Sequence, residues 1–431
     1  MEKTHRILHV PTFKSELASF WKRPSAADES WLAQFFVILA LGCQAHNYPV
    51  HVAQGQDYAE LTTQLLDASE LLLKRTPFLF RPNLANIRTL CLMVIAKQTG
   101  AASCYESDAS WPLIGLVVRL AMGMGLHSEA AIQNHKSALE IESRRALWTT
   151  VMYMEVRQSM TSGMPLLLCQ EDFTCLAPSN VNDDETHSLF DGPVPEHDLS
   201  EKTDSSMQVI IYHAFPTLAK VVKYAQSETM PFNYDHAMLY NMQIRQLMKY
   251  SRTLLLGKNN NPTTTTSSSS SSPDLQWVTL DIVFRRALLL LHRRFAHQPS
   301  ASTQYSLSYW TSLECSLALL AHQRELADSR NRWFAGLFRQ DFVTAAVTVC
   351  LHLVQTSSSL EPPLRCPCAA GSGSGHDTSS TGARNIVPET LRSCREIWEV
   401  ERHLTVCQYQ SFRFLNEIVE ALERDFSDCS E

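Results

Sequence analysis

Between Leu84 and Leu168 three helix-length apolar patterns follow one another: LANIRTLCLMVIAKQTG, then SWPLIGLVVRLAMGMGLHSE, then EIESRRALWTTVMYMEVRQSMTSGMPLLL. Their apolar residues recur at three- and four-residue spacings, as on a helix face, and not at the spacing of two that a half-buried strand needs. The third opens with a charged run, whereas the first is strongly apolar, and residues 31–45 upstream are apolar nearly all round. Such helices stay in water only when other helices cover them on several sides. This stretch therefore calls for a large all-α domain and excludes a β-sandwich.

The rest of the chain supplies the covering elements. His9-Val10-Pro11 sets a proline at the start of a helix in the leading segment, residues 1–23. Residues 31–45 read as a buried helix. Residues 58–75 read as an amphipathic one carrying Leu61, Leu65, Leu66, Leu72 and Leu73. Helices are expected at 84–98, at 111–124 with Ile114, Val117, Val118, Ala121 and Met124 on one stripe, and at 138–161, stopped by Gly163-Met164-Pro165. Gly123 and Gly125 suit close packing and a C-terminal cap. Residues 180–204, polar and acidic, read as a surface loop. Further helices are expected at 207–225 with a kink at Pro216, then at 235–256, 275–295, 306–327, 333–353 and 389–426, the last with a break. Two segments lack the composition to bury apolar area: the Asn/Thr/Ser run at 257–274 and the Gly/Ser-rich loop around Gly371 to Gly375. The expected division is one domain over 1–355 with an insertion at 257–274, a flexible loop at 356–386, and a helical segment at 387–431 packed on the same domain.

Charge narrows the function. The net charge is −7, whereas an isolated DNA-binding module is basic because phosphate neutralisation supplies its affinity. Arg285-Arg286 and His292-Arg293-Arg294 read as solvated helix faces or helix ends. Twelve cysteines are scattered, several in apolar settings such as Cys91 and Cys350, and read as buried free thiols. Trp31 to Cys43, an apolar run of about 13 residues, is too short to span a bilayer, and no membrane association is expected.

No catalytic or metal constellation is legible. Cys366-Pro367-Cys368 lacks the usual zinc or redox spacing, and His352 on an apolar helix reads as a core histidine. Gly371 to Gly375 is neither a phosphate-binding loop nor a nucleophile elbow. Trp148, Tyr153 and Met154 read as ordinary core residues, with a cavity between helices as the alternative. The methionines at 122, 124, 152, 154, 160 and 164 read either as gap-fillers or as an adaptable pocket wall.

The order of motifs resembles the middle homology region of fungal zinc-cluster transcription regulators, over roughly residues 5–355 and most specifically over 84–168. Gly125-Leu126-His127 matches the triplet that ends one helix, although Ser128-Glu129 follows where Arg-Asp is common. Glu140, Glu142, Arg144, Arg145, Leu147 and Trp148 match the charged helix start, and Gly163 and Pro165 match its end. Two arginines of the pattern are replaced, by Met164 and by Val156. Arg157 is adjacent but lies about 100° further round the helix. If the absent arginines pair with carboxylates in relatives, that network is weakened here, with apolar packing in its place. Leu8 to Phe13 and Arg285 to Phe295 match more loosely.

The resemblance implies a structural role for Gly125, Leu126, His127, Arg144, Arg145, Trp148, Gly163 and Pro165. It implies a nuclear regulator of metabolic or secondary-metabolite genes. Its partners would be proteins of the transcription machinery or a DNA-binding regulator, with a small-molecule effector in an interhelical pocket. Relatives carry six zinc-binding cysteines near the N-terminus; here the first is Cys43 and no Cys-x2-Cys occurs. The chain therefore needs no cofactor of its own, with zinc only if an upstream cluster exists, and direct DNA binding is not expected. The rival reading is an enzyme or metabolite-binding protein that reuses the helical scaffold.

Overall fold

The computed structural model describes residues 2–46, 55–100, 109–134, 137–187, 196–227, 233–257, 274–329, 331–359, 378–402 and 406–428. Among these residues every regular element is helical. The long helices are α1 (Val10–Lys22), α2 (Glu29–His46), α3 (Gly55–Arg75), α4 (Leu84–Thr99), α5 (Ser110–Gly123), α6 (Ala138–Ser162), α7 (Ser206–Gln226), α8 (Tyr234–Leu256), α9 (Leu275–Ala296), α10 (Ser306–Ala327), α11 (Arg339–Ser359), α12 (Thr378–Glu401) and α13 (Val406–Asp428). Short helical turns occur at Glu2–His5, Glu129–Ile132, Asp183–His187 and Ala301–Gln304.

Local chemistry sets several boundaries. Asn83 and Asn86 form a reciprocal capping box at the start of α4. Asn233 and Asp274 cap α8 and α9 through side-chain oxygens. Gly125, at φ +77°, ends α5 in a left-handed turn in which Leu126 N–H reaches back to Ala121 C=O and Gly125 N–H to Met122 C=O. Gly163, at φ +73°, ends α6.

Helix α6 is the axis of the domain. Every residue from Leu147 to Met160 is buried, including Glu155 and Arg157. It packs on α5, α7 and α9. On one side α2, α3, α4 and α5 form a connected layer. On the other α7, α8, α9, α10 and α11 do so, and α12 reaches this layer through α10. Leu391, Cys394 and Trp398 of α12 are buried there, and the Cys394 thiol donates to Gln323 Oε1 at 3.2 Å.

Several expectations change. Within 180–204, of which 188–195 lie outside the described residues, residues 196 and 198–202 are exposed as expected, but the two ends turn inward. Asn180, Val181, Thr203 and Ser205 are buried, and Thr203 Oγ1 donates to Asn180 Oδ1 at 2.6 Å while Asn180 Nδ2 serves the Asp198 and Glu201 carbonyls. Short polar side chains satisfy the buried backbone here, so polarity misled the reading. Arg285, Arg286 and His292 are paired or buried rather than solvated; only Arg293 and Arg294 lie exposed at the helix end. The helix expected at 333–353 is a 3₁₀ segment, Arg332–Phe338, running into α11. Of the loop expected at 356–386, the two ends are helical, since helices extend to Ser359 and resume at Thr378, and residues 360–377 lie outside the described residues. Residues 258–273, Cys366-Pro367-Cys368 and Gly371 to Gly375 lie outside the described residues. The segment Arg332–Gln355 is long and apolar enough, by composition, to cross a membrane. More than half of it is buried inside the fold, and Asp341 within it is ion-paired, the pattern of a core helix.

Candidate functional site

Five of the eight motif residues meet at the start of α6. The Arg145 guanidinium is the centre. It donates to both oxygens of Glu129 and, at 2.7 Å, to Glu142 Oε1. The second oxygens of these carboxylates accept backbone N–H groups from one segment: Leu176 to Glu129 at 3.0 Å and Ser179 to Glu142 at 2.8 Å. The His127 carbonyl accepts from Thr174 and Cys175 N–H at 2.9 and 3.0 Å. The Trp148 indole, fully buried, stands edge-on to Phe173 with ring centres 6.0 Å apart. Gly125 and Leu126 make the turn that delivers His127 and Glu129 to this point. The result is a clasp that fastens residues 173–179 across α6. Burial opposes ionisation of Glu129, but Arg145 and the Leu176 N–H outweigh it and hold the carboxyl below its usual value. Burial likewise works against charged Arg145, and Glu129 with Glu142 outweighs it.

Arg144 is not part of the clasp; it pairs with Glu140 one turn back at 2.9 Å. Gly163 and Pro165 lie at the far end of α6, roughly 27 Å from Arg145 by helix rise. There Glu155 Oε1 accepts from Leu167 N–H at 2.8 Å, turning the chain back on the helix.

At the two positions where the resemblance leads one to expect arginine, Val156 is buried in the core and Met164 is exposed. Apolar packing thus replaces charge only at Val156. Arg157, one residue on, supplies a buried ion pair of its own: it donates to Asp341 Oδ2 at 2.8 Å and to the Leu337 carbonyl at 2.5 Å, and its guanidinium lies 4.5 Å from the centre of the Phe338 ring. Arg286 Nε stands 3.8 Å from the other Asp341 oxygen. Two cations thus face one fully buried carboxylate and tie α6, α9 and α11 together. Burial opposes the charge on Arg157, which Asp341 restores, while burial lowers Arg286. Sequence reading missed Asp341 because nothing local distinguishes a paired aspartate from a solvated one in a helix's first turn. A second polar junction joins α9 to α10: Asp281 accepts from Arg285 at 2.6 Å and from His322 at 2.7 Å.

The interhelical space at Trp148, Tyr153 and Met154 is filled. A void beside Tyr153 holds only about 10 Å³, no more than a single water. Met152, Met154 and Met160 are core residues, and His352 is a buried histidine edge-on to Tyr309. The larger cleft lies elsewhere, where the leading segment crosses α4 and α6. It measures about 200 Å³ and is lined by Leu8, Phe13, Gln34, Arg88, Leu139 and Ser143 among others. A cavity of about 40 Å³ adjoins it and shares Arg88. The leading segment is held by Arg6–Asp183 at 2.6 Å and by Gln276 Nε2 on the Lys3 carbonyl at 2.9 Å. Among the described residues no group of three or more His, Cys, Asp or Glu side chains is placed to hold a metal ion.

The fungal specific transcription factor domain matches residues 3–281 of this chain. The chain belongs to that family. Transcription factor opdR of Penicillium oxalicum is 27% identical over 328 residues, covering 75% of this chain and 40% of the relative. Transcription factor asR3 of Sarocladium schorii is 27% identical over 379 residues, covering 82% and 44%. The equisetin cluster transcription factor eqxF of Fusarium heterosporum is 24% identical over 424 residues, covering 94% and 59%. The chain thus spans roughly half the length of these curated relatives. No solved structure matches it. The family is one of transcription regulators, not of enzymes.

Proposed function

We propose that this chain is the regulatory region of a nuclear transcription factor that controls a biosynthetic gene cluster. The observation that carries the reading is the family match over residues 3–281, together with relatives described as cluster transcription factors. The helical domain acts as a receiver: partner proteins of the transcription machinery or an effector bias its packing, and transcription changes. The Arg145 clasp and the Arg157–Asp341–Arg286 cluster are proposed as structural joints that pass strain between helix layers, because each ties separate segments to α6. The rival metabolite-binding reading survives only within this one, as effector binding by the cleft at Arg88.

Contact with DNA is assigned to no residue of this chain, in keeping with its net charge of −7. Deletion of the gene, followed by transcript measurement across the genome, tests the proposal. The expected result is loss of transcripts from one contiguous set of biosynthetic genes, restored by the wild-type gene. Unchanged transcripts under conditions where the protein is present would overturn it.

A further inference from the structure

The cleft at Arg88 has a chemical character that narrows what it takes. Its walls are apolar: Leu8, Phe13 and Leu139. Arg88 makes no ion pair among the described residues, and its Nε is buried without a hydrogen-bond partner. Burial lowers its guanidinium, with Glu16 and Glu2 acting the other way and Arg144 adding to the fall. Gln34 also lines the cleft; it is only 2% exposed, and its Oε1 is buried without a donor. A buried polar atom left alone costs on the order of 1–3 kcal/mol, so both ask for a partner. Glu16, exposed at the rim, uses one carboxylate oxygen for Trp31 Nε1–H at 2.9 Å. Glu140 adds a second carboxylate, engaged by Arg144. His9, at the junction of the two cavities, is bound to Thr12 at 2.6 Å and to the Asp183 carbonyl.

A simple anion would satisfy Arg88 but would face two carboxylates and leave Gln34 Oε1 without a donor. A simple amine would satisfy Glu16 and Gln34 but would add a second cation beside Arg88. One ligand class answers all of them. We propose that this cleft binds a small zwitterion of the α-amino acid class, its carboxylate on Arg88, its ammonium towards Gln34 Oε1 and Glu16, and its apolar side chain against Leu8, Phe13 and Leu139. This rests on the regulatory reading, in which the amino acid is the effector. Because the leading segment forms one wall, occupancy fastens that segment to α4 and α6.

Calorimetric titration of the full chain with L-leucine and L-phenylalanine tests the proposal. Each is run beside its deaminated acid (4-methylpentanoate, 3-phenylpropanoate) and its decarboxylated amine. The expected result is saturable binding of an amino acid, at least tenfold weaker binding of the matching acid and amine, and at least tenfold loss in Arg88→Met. Glu16→Gln, an exposed change that leaves folding intact, weakens the amino acid but not the acid. Equal binding of acid and amino acid, wild-type affinity in Arg88→Met or Glu16→Gln, or no binding of any probe at millimolar concentration would overturn it. The readout is binding alone, so it stands or falls separately from the transcript test.

Discussion

The Arg157–Asp341–Arg286 cluster makes the sharpest energetic prediction. Asp341 is fully buried and accepts from Arg157 at 2.8 Å, with Arg286 at 3.8 Å. At an effective dielectric constant of about 20, unit charges 2.8 Å apart attract by roughly 6 kcal/mol. Desolvation of both ions offsets part of that. Removing one partner of a buried pair nevertheless costs about 3–5 kcal/mol, because the other charge is stranded. Asp341→Asn keeps the volume and strands two arginines that already repel each other. Its expected cost is therefore about 3–5 kcal/mol. Arg286→Met removes the surplus cation and leaves a balanced pair, losing chiefly the bond to the Met160 carbonyl at 3.2 Å. Its expected cost is under about 2 kcal/mol. Urea denaturation followed by far-UV circular dichroism and tryptophan fluorescence compares them. A loss in Arg286→Met equal to or larger than that in Asp341→Asn would refute the charge count on which this rests.

The clasp predicts that Arg145→Ala costs about 2–3 kcal/mol, since charged hydrogen bonds to two carboxylates, one of them buried, are lost. Arg144→Ala costs under about 1 kcal/mol, because its partner is a half-exposed i,i+4 glutamate; denaturation midpoints of the two variants check the order. Both left-handed glycines resist substitution, but unequally. Gly163→Ala meets open space and carries the backbone cost of roughly 1–2 kcal/mol, whereas at Gly125 a Cβ would also meet Ala131 Cβ at 2.8 Å, so Gly125→Ala melts at the lower temperature in calorimetry. His322 is pulled down by burial but held above its usual value by Asp281 and Glu325. The stability it contributes is full below about pH 6.5, its unfolded value, and is lost as pH rises through the raised folded value. His322→Gln should therefore narrow the gap from wild type between pH 6 and pH 9 in urea titrations; a constant gap would contradict the assignment.

Much of the fold was legible because it depends on local pattern. Periodicity placed α4, α5 and α6 to within one or two residues, and Gly125 and Gly163 marked where α5 and α6 end. The buried charges were not legible. Val156 and Met164 marked where arginines are absent, but nothing in the sequence shows that Arg157 finds Asp341 some 180 residues later, since the pair exists only after α6 and α11 pack. The same holds for the cleft. The aromatic residues of α6 drew attention to a space that proves to be filled. Arg88 sat unremarked in an apolar helix, and its isolation appears only when the leading segment lies across it. The two ends of 180–204 misled for the opposite reason: polar side chains signal solvent unless their partners, such as Asn180 with Thr203, are seen.

The central claim, that this helical domain sets transcriptional output, is tested most directly by tethering. Residues 1–431 are fused to a heterologous DNA-binding module, and a reporter bearing its site is measured in a fungal host. The account predicts that the fusion changes reporter output relative to the DNA-binding module alone, and that Arg145→Ala and Asp341→Asn abolish the change. A fusion that is present in the nucleus and folded, yet leaves the reporter at the level of the module alone, would contradict it.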